Sequence, residues 1–239
     1  MGSAILTYHS LDTSGSVIST RPELFRAHIE SLVKRGIPAT FLDSVLHAPL
    51  AVALTFDDGY ENFAEVALPL LSQYRIPATV FVVSSLCGRF NVWDTSGRSP
   101  RLRLMSWETL RSLPADLVSL GAHSVSHADL TQLSMEELES ELQESRTEIE
   151  QRTGRRVPHF AYPYGSVNAT VRAAAGNKYE LAVGTRLEHV PKDPDLLNLP
   201  RIDAYYLKHP NQFRRQTAGK GIGYLAMRRW LRQLRSALG

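Results

Sequence analysis

The chain has 239 residues, of which 43% are hydrophobic and 21% charged, and this composition excludes a largely disordered chain and fits one large α/β domain or, alternatively, two small domains. The formal net charge of +3 arises from residues 211–239, where seven basic and no acidic residues occur, and such a confined stretch is not the distributed basic surface of a nucleic-acid-binding fold. Cys87 is the only cysteine, so an internal disulfide and a cysteine-based zinc site are excluded, and any metal must bind through His, Asp or Glu.

The beginning of the chain carries no targeting signal. Met1-Gly2-Ser3 leads directly into the strand-like run Ala4–Tyr8, without the basic stretch and apolar core of a signal peptide. No apolar run reaches the roughly 18 residues that a membrane-spanning helix needs. The sequence as it stands therefore predicts a cytoplasmic protein, unless a signal peptide has been removed from it.

Short apolar runs alternate with helical patterns, which predicts a parallel sheet covered by helices but does not separate a barrel from an open doubly wound sheet. In chain order, the strand runs are Ala4–Tyr8, Ala51–Phe56, Ala78–Val83, Leu117–Ala122, His159–Tyr162, Glu180–Gly184 and Leu196–Ile202. The helical patterns are Pro22–Arg35, Glu61–Tyr74, Trp107–Ser112, Met135–Arg152 and Val167–Gly176.

Local signals refine some of these helices. Capping-box spacing occurs at Thr20 with Glu23 and at Ser134 with Glu137. His28, inside the first helix, is expected at the surface. The pattern of residues 224–232 predicts an amphipathic cationic helix, which either lies on an anionic membrane or packs on the fold with a solvated basic face. Packing is the favoured interpretation.

Paired carboxylates follow the second strand run. Asp57 and Asp58, in the string Thr-Phe-Asp-Asp-Gly, repel each other unless a cation or hydrogen bonds hold them. An ordinary turn is the alternative, because Asp-Gly is common in turns. The pair is therefore a candidate site that needs a second signal to support it.

Two histidines follow the fourth strand run and supply that signal. If the chain turns helical there, the spacing of His123 and His127 places both imidazoles on one face, within reach of one ion. A coincidental surface pair is the alternative. Together with one aspartate they form a three-ligand set that leaves positions open, as in catalytic zinc sites.

Further polar and aromatic residues follow other strands. His9 ends the first strand, and Tyr162-Pro163-Tyr164 forms a rigid loop whose backbone N–H groups suit a developing oxyanion, unless the loop is an ordinary connection. Trp93, in the insertion Gly88–Pro100, is a candidate for stacking on a sugar ring. Since α/β folds carry their chemistry at the C-terminal ends of parallel strands, these residues are expected to meet there.

The order Thr-Phe-Asp-Asp-Gly, His-Ser-x-x-His, Tyr-Pro-Tyr-Gly resembles the polysaccharide deacetylase family, carbohydrate esterase family 4, over about Ala4–Asp203. The resemblance implies an irregular seven-stranded (β/α) barrel in residues 1–210, followed by a basic helical tail in residues 211–239. It also implies a hydrolase that removes N-acetyl groups from an amino sugar, in a polysaccharide, oligosaccharide or glycolipid.

The resemblance also implies roles for individual residues. Asp58, His123 and His127 correspond to the ligands of a divalent metal ion, with zinc expected and cobalt, nickel or manganese as alternatives. Asp57 corresponds to the general base, and the backbone N–H of Tyr164 to the oxyanion donor. The substrate contacts are expected at Tyr162, Pro163 and Trp93.

The sequence departs from the family pattern at two places, and two roles are therefore expected at other residues. Ala161 stands where the family has an arginine that contacts the base, and we expect Arg201 to supply that guanidinium from the last strand. A late Leu-x-His motif for the general acid is missing, so the chain resembles the branch with permuted motif order, in which His9 is the general acid. Hydrolysis of a non-sugar amide and carbohydrate binding without turnover remain the alternatives, the second because of Ala161.

Overall fold

The fold is built on a parallel sheet. The computed structural model describes residues 2–93 and 99–238. All pairings between its named strands are parallel, as expected for apolar runs that are buried on both faces. The strands are β1 (Ala4–Tyr8), β2 (Ala39–Thr40), β3 (Val52–Phe56), β4 (Ala78–Val82), β5 (Val118–Ala122), β6 (His159–Ala161), β7 (Leu181–Val183) and β8 (Ile202–Asp203).

The sheet curls into a barrel. Its strands follow the order β7-β6-β5-β4-β3-β1-β8, and β2 pairs with β3. Just before β8, Leu199 forms a parallel bridge with Val183 of β7, where the Leu199 N–H donates to the Ala182 carbonyl at 2.9 Å. The last segment therefore bonds to both ends of the sheet, and the predicted irregular (β/α) barrel is confirmed over the open alternative.

Helices pack around this sheet through their apolar faces. They are α1 (Pro22–Lys34), α2 (Leu68–Tyr74), α3 (Trp107–Ser112), α4 (Met135–Thr153), α5 (Ala169–Gly176), α6 (Pro210–Gln216) and α7 (Ile222–Leu238). The capping box predicted for α4 is confirmed, because the Ser134 hydroxyl accepts from the Glu137 N–H and the Glu137 carboxylate accepts from the Ser134 N–H. Gly154, in the left-handed conformation, ends this helix.

Two expectations for α1 are wrong. The N-cap of the helix is Arg21, which forms no side-chain capping bond, so the box predicted for Thr20 and Glu23 does not form. His28 is only 2% exposed, because Phe213 of α6 stacks on its imidazole with a centroid distance of 3.9 Å. The helical pattern alone places this histidine at the surface, whereas a helix distant in sequence covers it.

The C-terminal tail folds onto the barrel. Leu225 of α7 belongs to the hydrophobic core, and the Tyr224 hydroxyl donates to the Tyr206 carbonyl at 2.8 Å. The Arg232 guanidinium donates to the Thr185 carbonyl at 3.0 Å. The packed arrangement favoured for the amphipathic helix is therefore the one observed.

Three short parts of the chain lie outside the described residues. They are Met1 and Gly239, the outer ends of the predicted ranges 1–210 and 211–239, and residues 94–98 of the insertion Gly88–Pro100. The predicted boundary between residues 210 and 211 falls at the start of α6. Within the described ranges, the helices lack the combination of length and apolar content needed to cross a bilayer.

The strand register determines where the polar residues meet. Tyr8 of β1 lies opposite Phe56 of β3, so His9 and Asp57 leave the sheet side by side. The ends of β4, β5 and β6 continue the same rim, and His123 begins directly after β5. The parallel topology therefore brings residues from distant parts of the sequence to one mouth of the barrel.

Candidate metal centre and active site

Three side chains converge at the C-terminal mouth of the barrel. Asp58 Oδ1 lies 3.3 Å from Nε2 of His123 and 3.3 Å from Nε2 of His127. All three side chains are buried, with 2–6% of their surface exposed. The residues that the sequence pattern proposes as a ligand set are thus brought together, and one donor atom of each lies within 4.8 Å of the others.

This donor set fits a divalent cation. Ligand bonds of about 2.0–2.1 Å around a tetrahedral zinc place neighbouring donors roughly 3.3 Å apart, which matches the observed spacing. Within the described residues, Asp58 Oδ1 is buried and lacks a hydrogen-bond partner, a costly state for a carboxylate oxygen unless a cation meets it. One carboxylate and two imidazoles leave coordination positions open, as in catalytic rather than structural sites.

The electrostatics of Asp58 also suit a cation ligand. Burial alone would raise the pKa of its carboxyl group. The facing imidazoles of His123 and His127 outweigh burial and hold this pKa well below its usual range. Asp58 is therefore ionised at neutral pH, as a metal ligand must be.

The two histidines converge through a loop, and the helix considered for this segment does not form. Ser124 and His127 adopt left-handed backbone conformations, with φ of 62° and 64°. The Ser124 hydroxyl accepts from the His127 N–H at 2.9 Å. Glu141 of α4 accepts from two backbone N–H groups of the loop at 2.7 and 3.0 Å. This framework turns both imidazoles toward the same carboxylate.

The ring of His123 is oriented by a backbone carbonyl. Its Nδ1 lies 2.7 Å from the carbonyl oxygen of Ala161, so the neutral ring donates from Nδ1 and leaves the Nε2 lone pair for a metal. Burial lowers the pKa of His123, but Asp58 and Asp57 outweigh burial and raise it. Ala161 thus contributes through its backbone, where the family pattern has an arginine side chain.

Aromatic rings surround His127. The Trp93 indole stacks on its imidazole with a centroid distance of 4.3 Å and an interplanar angle of 18°. Tyr164 meets it edge-on at 4.6 Å. Burial lowers the pKa of His127 and so favours the neutral form that binds metals.

A second carboxylate, Asp57, is held by Arg201. Nη1 and Nη2 of the guanidinium donate to Oδ1 and Oδ2, each at 2.7 Å, and Arg201 is only 1% exposed. Burial would raise the pKa of Asp57, but the guanidinium outweighs burial and lowers it. Arg201 therefore contacts Asp57 in the way expected of the arginine that the motif lacks at Ala161.

His9 stands on the other side of Asp57. Its Nε2 lies 3.8 Å from Asp57 Oδ2, and its side chain is 23% exposed to the cavity. Asp203, at the end of β8, interacts electrostatically with His9. Burial raises the pKa of Asp203. The imidazole thus lies between acidic groups at the cavity surface.

Backbone strain is concentrated at this site. Among the described non-glycine residues with positive φ, four lie here: Asp58 (72°), Ser124 (62°), His127 (64°) and Tyr164 (59°). Left-handed conformations cost free energy for residues with a Cβ, and they persist where surrounding structure holds them, typically at functional sites. This concentration is independent support for the location of the site.

These groups line a cavity of about 640 Å³. A second cavity, of about 520 Å³, lies at the N-terminal end of β1, away from the candidate ligands. The site cavity is rich in aromatic side chains, which present flat apolar faces suited to sugar rings. The aromatic residues lining it are Tyr60, Trp93, Tyr162, Tyr164, Tyr205 and Tyr206.

The three expected substrate contacts are placed differently. Trp93 and Tyr162 line the cavity. The Tyr162 hydroxyl donates to the Leu197 carbonyl at 2.7 Å and the residue is 1% exposed, so Tyr162 offers substrate little surface. Pro163 is buried in the loop and does not line the cavity. Its position indicates that it shapes the loop, and its expected contact with substrate stays a prediction.

Sequence reasoning missed several contributors. Glu141 is one of many glutamates in α4, and nothing in the local pattern distinguishes it. Asp203 had a usable signal, because it ends a strand like the other site residues. Tyr205, Tyr206 and Arg232 reach the cavity from beyond the motifs, and only the three-dimensional arrangement shows them.

Comparisons with known proteins agree with this picture. A family model described as polysaccharide deacetylase matches residues 47–182. The Bacillus subtilis (strain 168) protein YxkH is 23% identical over 207 residues, 83% of this chain and 70% of that protein. A chitin deacetylase of Colletotrichum lindemuthianum is 31% identical over 135 residues, 56% of this chain and 47% of that protein. The Streptococcus pyogenes deacetylase PplD, solved with acetate, has the same fold, with a TM-score of 0.72 at 24% identity, over 85% of this chain and 92% of that chain.

Proposed function

Because the chain belongs to the polysaccharide deacetylase family, we propose that it is a metal-dependent hydrolase that removes N-acetyl groups from an amino sugar and releases acetate. The observation that carries this proposal is the convergence of Asp58, His123 and His127 directly beside the Asp57–Arg201 pair. Amides are poor electrophiles with poor leaving groups, so their hydrolysis needs an electrophilic activator, a base and an acid. The site offers residues for each of these roles.

The ligand set would hold the metal. When bound there, a divalent cation supplies Lewis acidity toward the acetamide carbonyl and toward the attacking water. Asp58, His123 and His127 would coordinate it, and zinc is the ion expected for this set, with cobalt, nickel and manganese as alternatives.

Asp57 is proposed as the general base. Its pKa is lowered by Arg201, so the carboxylate is ionised at neutral pH and ready to accept a proton from the attacking water. The bidentate contact also fixes the orientation of both carboxylate oxygens. Arg201 acts through Asp57 and is therefore proposed as a positioning residue.

Tyr164 and His9 are proposed to complete the reaction. The backbone N–H of Tyr164 would donate to the oxyanion of the tetrahedral intermediate. His9, on the cavity wall 3.8 Å from Asp57, would then donate a proton to the departing nitrogen, which leaves as a free amine while acetate is released. Each step uses a residue at the mouth of the barrel.

The cavity wall favours a sugar substrate over a small non-sugar amide. Trp93 and Tyr205 present aromatic surface near the candidate ligands, and stacking on such rings is a usual way to bind the apolar face of a pyranose. The contact of Arg201 with Asp57 speaks against binding without turnover, because Arg201 supplies the guanidinium that Ala161 lacks.

The proposed function is tested by acetate release. Purified protein, with and without added Zn²⁺, is incubated with chitooligosaccharides and with small non-sugar amides. We expect metal-dependent acetate release from the sugars, with mass spectrometry showing loss of acetyl groups. Turnover of only non-sugar amides, or glycan binding in calorimetry without any acetate, would contradict the proposal.

A further inference from the structure

The cavity continues beyond the reaction centre toward α7. Arg232 lines the site cavity and also an adjoining pocket of about 370 Å³. Gly165 and Thr185 line both spaces as well, so the two spaces adjoin at this wall. Gly165 is the last residue of the motifs from which the function is proposed, and Thr185 and Arg232 follow it in the sequence.

This wall is close to the reaction centre. Gly165 directly follows Tyr164, and a Cβ at Gly165 would come within 2.2 Å of the Thr185 hydroxyl oxygen, so the loop and Thr185 are in close contact. The Thr185 carbonyl accepts the hydrogen bond from Arg232 Nη1 at 3.0 Å. Two contacts, that of Arg232 with Thr185 and that of Thr185 with Gly165, therefore link a group bound by Arg232 to the proposed oxyanion donor.

The adjoining pocket carries an excess of positive charge. Three guanidinium groups line it, those of Arg186, Arg229 and Arg232. Glu188 pairs with the first two, at 3.2 Å each. Among the described residues, Arg232 has no carboxylate within ion-pair distance; its guanidinium donates to the Thr185 carbonyl and interacts at longer range with Asp203 and Tyr206 of the site cavity. Counted with Glu188, the three guanidinium groups leave an excess of two positive charges at this pocket, and Asp203 faces it from the site cavity.

We propose that this wall, hereafter the Arg232 subsite, binds a phosphate group carried by the amino-sugar substrate. A guanidinium fork binds phosphate oxygens in a bidentate manner, and at neutral pH a phosphate carries nearly two negative charges as a monoester and one as the diester of a lipid-linked sugar, so both forms complement the positive charge of this wall. The inference rests on the proposed function and specifies its substrate class as a phosphorylated N-acetylated amino sugar, either free in solution or linked through the phosphate to a lipid.

Binding is the first test. Calorimetry compares N-acetylglucosamine 1-phosphate with N-acetylglucosamine on the zinc-loaded protein. We expect the wild type to bind the phosphorylated sugar at least about tenfold more tightly, and Arg232→Gln to remove most of this preference. Arg215→Gln, on the exposed surface of α6 and outside the cavity, loses the same charge and should keep the preference. Arg232→Lys should restore it only in part, because lysine lacks the fork.

Two binding results would overturn the inference. One is an equal affinity of the wild type for both sugars. The other is a preference that persists in Arg232→Gln but disappears in Asp58→Asn, because the phosphate would then bind at the metal centre.

Turnover separates this inference from the proposed function. Acetate release is measured on N,N′-diacetylchitobiose, its 1-phosphate and the farnesyl ester of that phosphate in detergent micelles. We expect the ratio of kcat/KM for phosphorylated over neutral substrate to exceed one in the wild type and Arg215→Gln, and to fall at least about fivefold in Arg232→Gln.

A similar ratio for the free phosphate and the farnesyl ester indicates a soluble substrate, and a higher ratio for the ester indicates a lipid-linked one. If no substrate releases acetate while the binding preference persists, the proposed function fails and the Arg232 subsite stands. If acetate is released with the same ratio in all variants, the inference fails and the proposed function stands.

Discussion

Arg201 and Asp57 form two parallel hydrogen bonds of 2.7 Å across a sequence separation of 144 residues. The guanidinium comes from the segment entering β8, and the carboxylate follows β3 on the far side of β1. Arg201 Nη1 also reaches the Thr55 hydroxyl at 3.1 Å, and its Nε donates to the Gly184 carbonyl at 2.9 Å. The guanidinium thus joins the proposed base to the frame of the barrel.

Removing Arg201 should therefore damage stability as well as activity. Arg201→Met leaves Asp57 buried without its guanidinium partner, and we expect the free energy of unfolding to fall by about 3–5 kcal/mol. Urea unfolding measures this loss. Arg75→Met is the matched control, because the ion pair of Arg75 with Asp116 is on the surface and its removal should cost about 1 kcal/mol or less. Equal losses in the two variants would show that the buried pair contributes no more to the free energy of unfolding than the surface pair.

Removing a ligand should abolish metal binding. Asp58→Asn replaces a charged donor by a weak one, so we expect about one bound Zn²⁺ per chain to fall to nearly none, with loss of acetate release. Elemental analysis measures the metal, and circular dichroism checks the fold. In the wild type, chelation should abolish turnover and zinc should restore it. Turnover that survives exhaustive chelation would contradict the metal role.

Replacing the proposed base should separate chemistry from metal binding. Asp57→Asn keeps the shape of the side chain but accepts no proton, so we expect kcat to fall by about 10²–10⁴-fold while the zinc content stays near the wild-type value. The measurement is acetate release together with elemental analysis of the same sample. Activity close to the wild type would exclude Asp57 as the base.

The role of His9 depends on the leaving group. His9→Gln should lower kcat for an N-acetylated sugar by about 10²–10⁴-fold, because the departing amine needs a proton. Hydrolysis of p-nitrophenyl acetate should fall much less, since its leaving group departs as an anion. A comparable fall on both substrates would indicate that His9 binds or positions rather than protonates.

His28 should make the fold sensitive to acid. Its Nδ1 lies 2.9 Å from the Tyr8 hydroxyl and its Nε2 lies 3.1 Å from the Leu207 carbonyl, an arrangement that satisfies the neutral ring. Burial lowers the pKa of His28 to about 4. The unfolded chain therefore takes up this proton at a higher pH than the folded one, and stability that is complete above about pH 6.5 is lost as the pH falls toward 4.

The expected loss is on the order of 3 kcal/mol, measured as the free energy of unfolding in urea at several pH values. His28→Gln should flatten this part of the profile, although it also weakens the packing against Phe213. His47→Gln, which changes an exposed histidine, should leave the profile unchanged. A profile of identical slope in His28→Gln would contradict the assignment.

The strands were predictable where the physical signal is local. The runs at Ala4–Tyr8 and Ala78–Val83 are continuous and apolar because both faces of the parallel sheet are buried, and the observed strands agree within one residue. The run Leu196–Ile202 yields only the short β8 (Ile202–Asp203), and β2 (Ala39–Thr40) was not predicted. Two-residue strands are fixed by their neighbours, and their own sequences carry almost no pattern.

The site was predictable in composition but not in its local geometry. Motif order indicated Asp58, His123 and His127 as a set, and the structure brings them together. The histidine segment contains no glycine, so nothing in it predicts the left-handed residues that form the loop. Glu141 and Arg232 reach the site through contacts between distant segments, and no local pattern indicates such contacts.

The pairing of β1 with β8 also dictates when the barrel can close during synthesis. β1 leaves the ribosome well before β8, its neighbour in the sheet, and at about 5–20 residues per second the wait for their pairing is roughly ten to forty seconds. Throughout that interval one edge of the nascent sheet is uncovered, and Asp57 has no guanidinium to meet. Newly made chains should therefore be vulnerable to aggregation until β8 has been made, and a chaperone that shields the exposed edge of β1 would protect them.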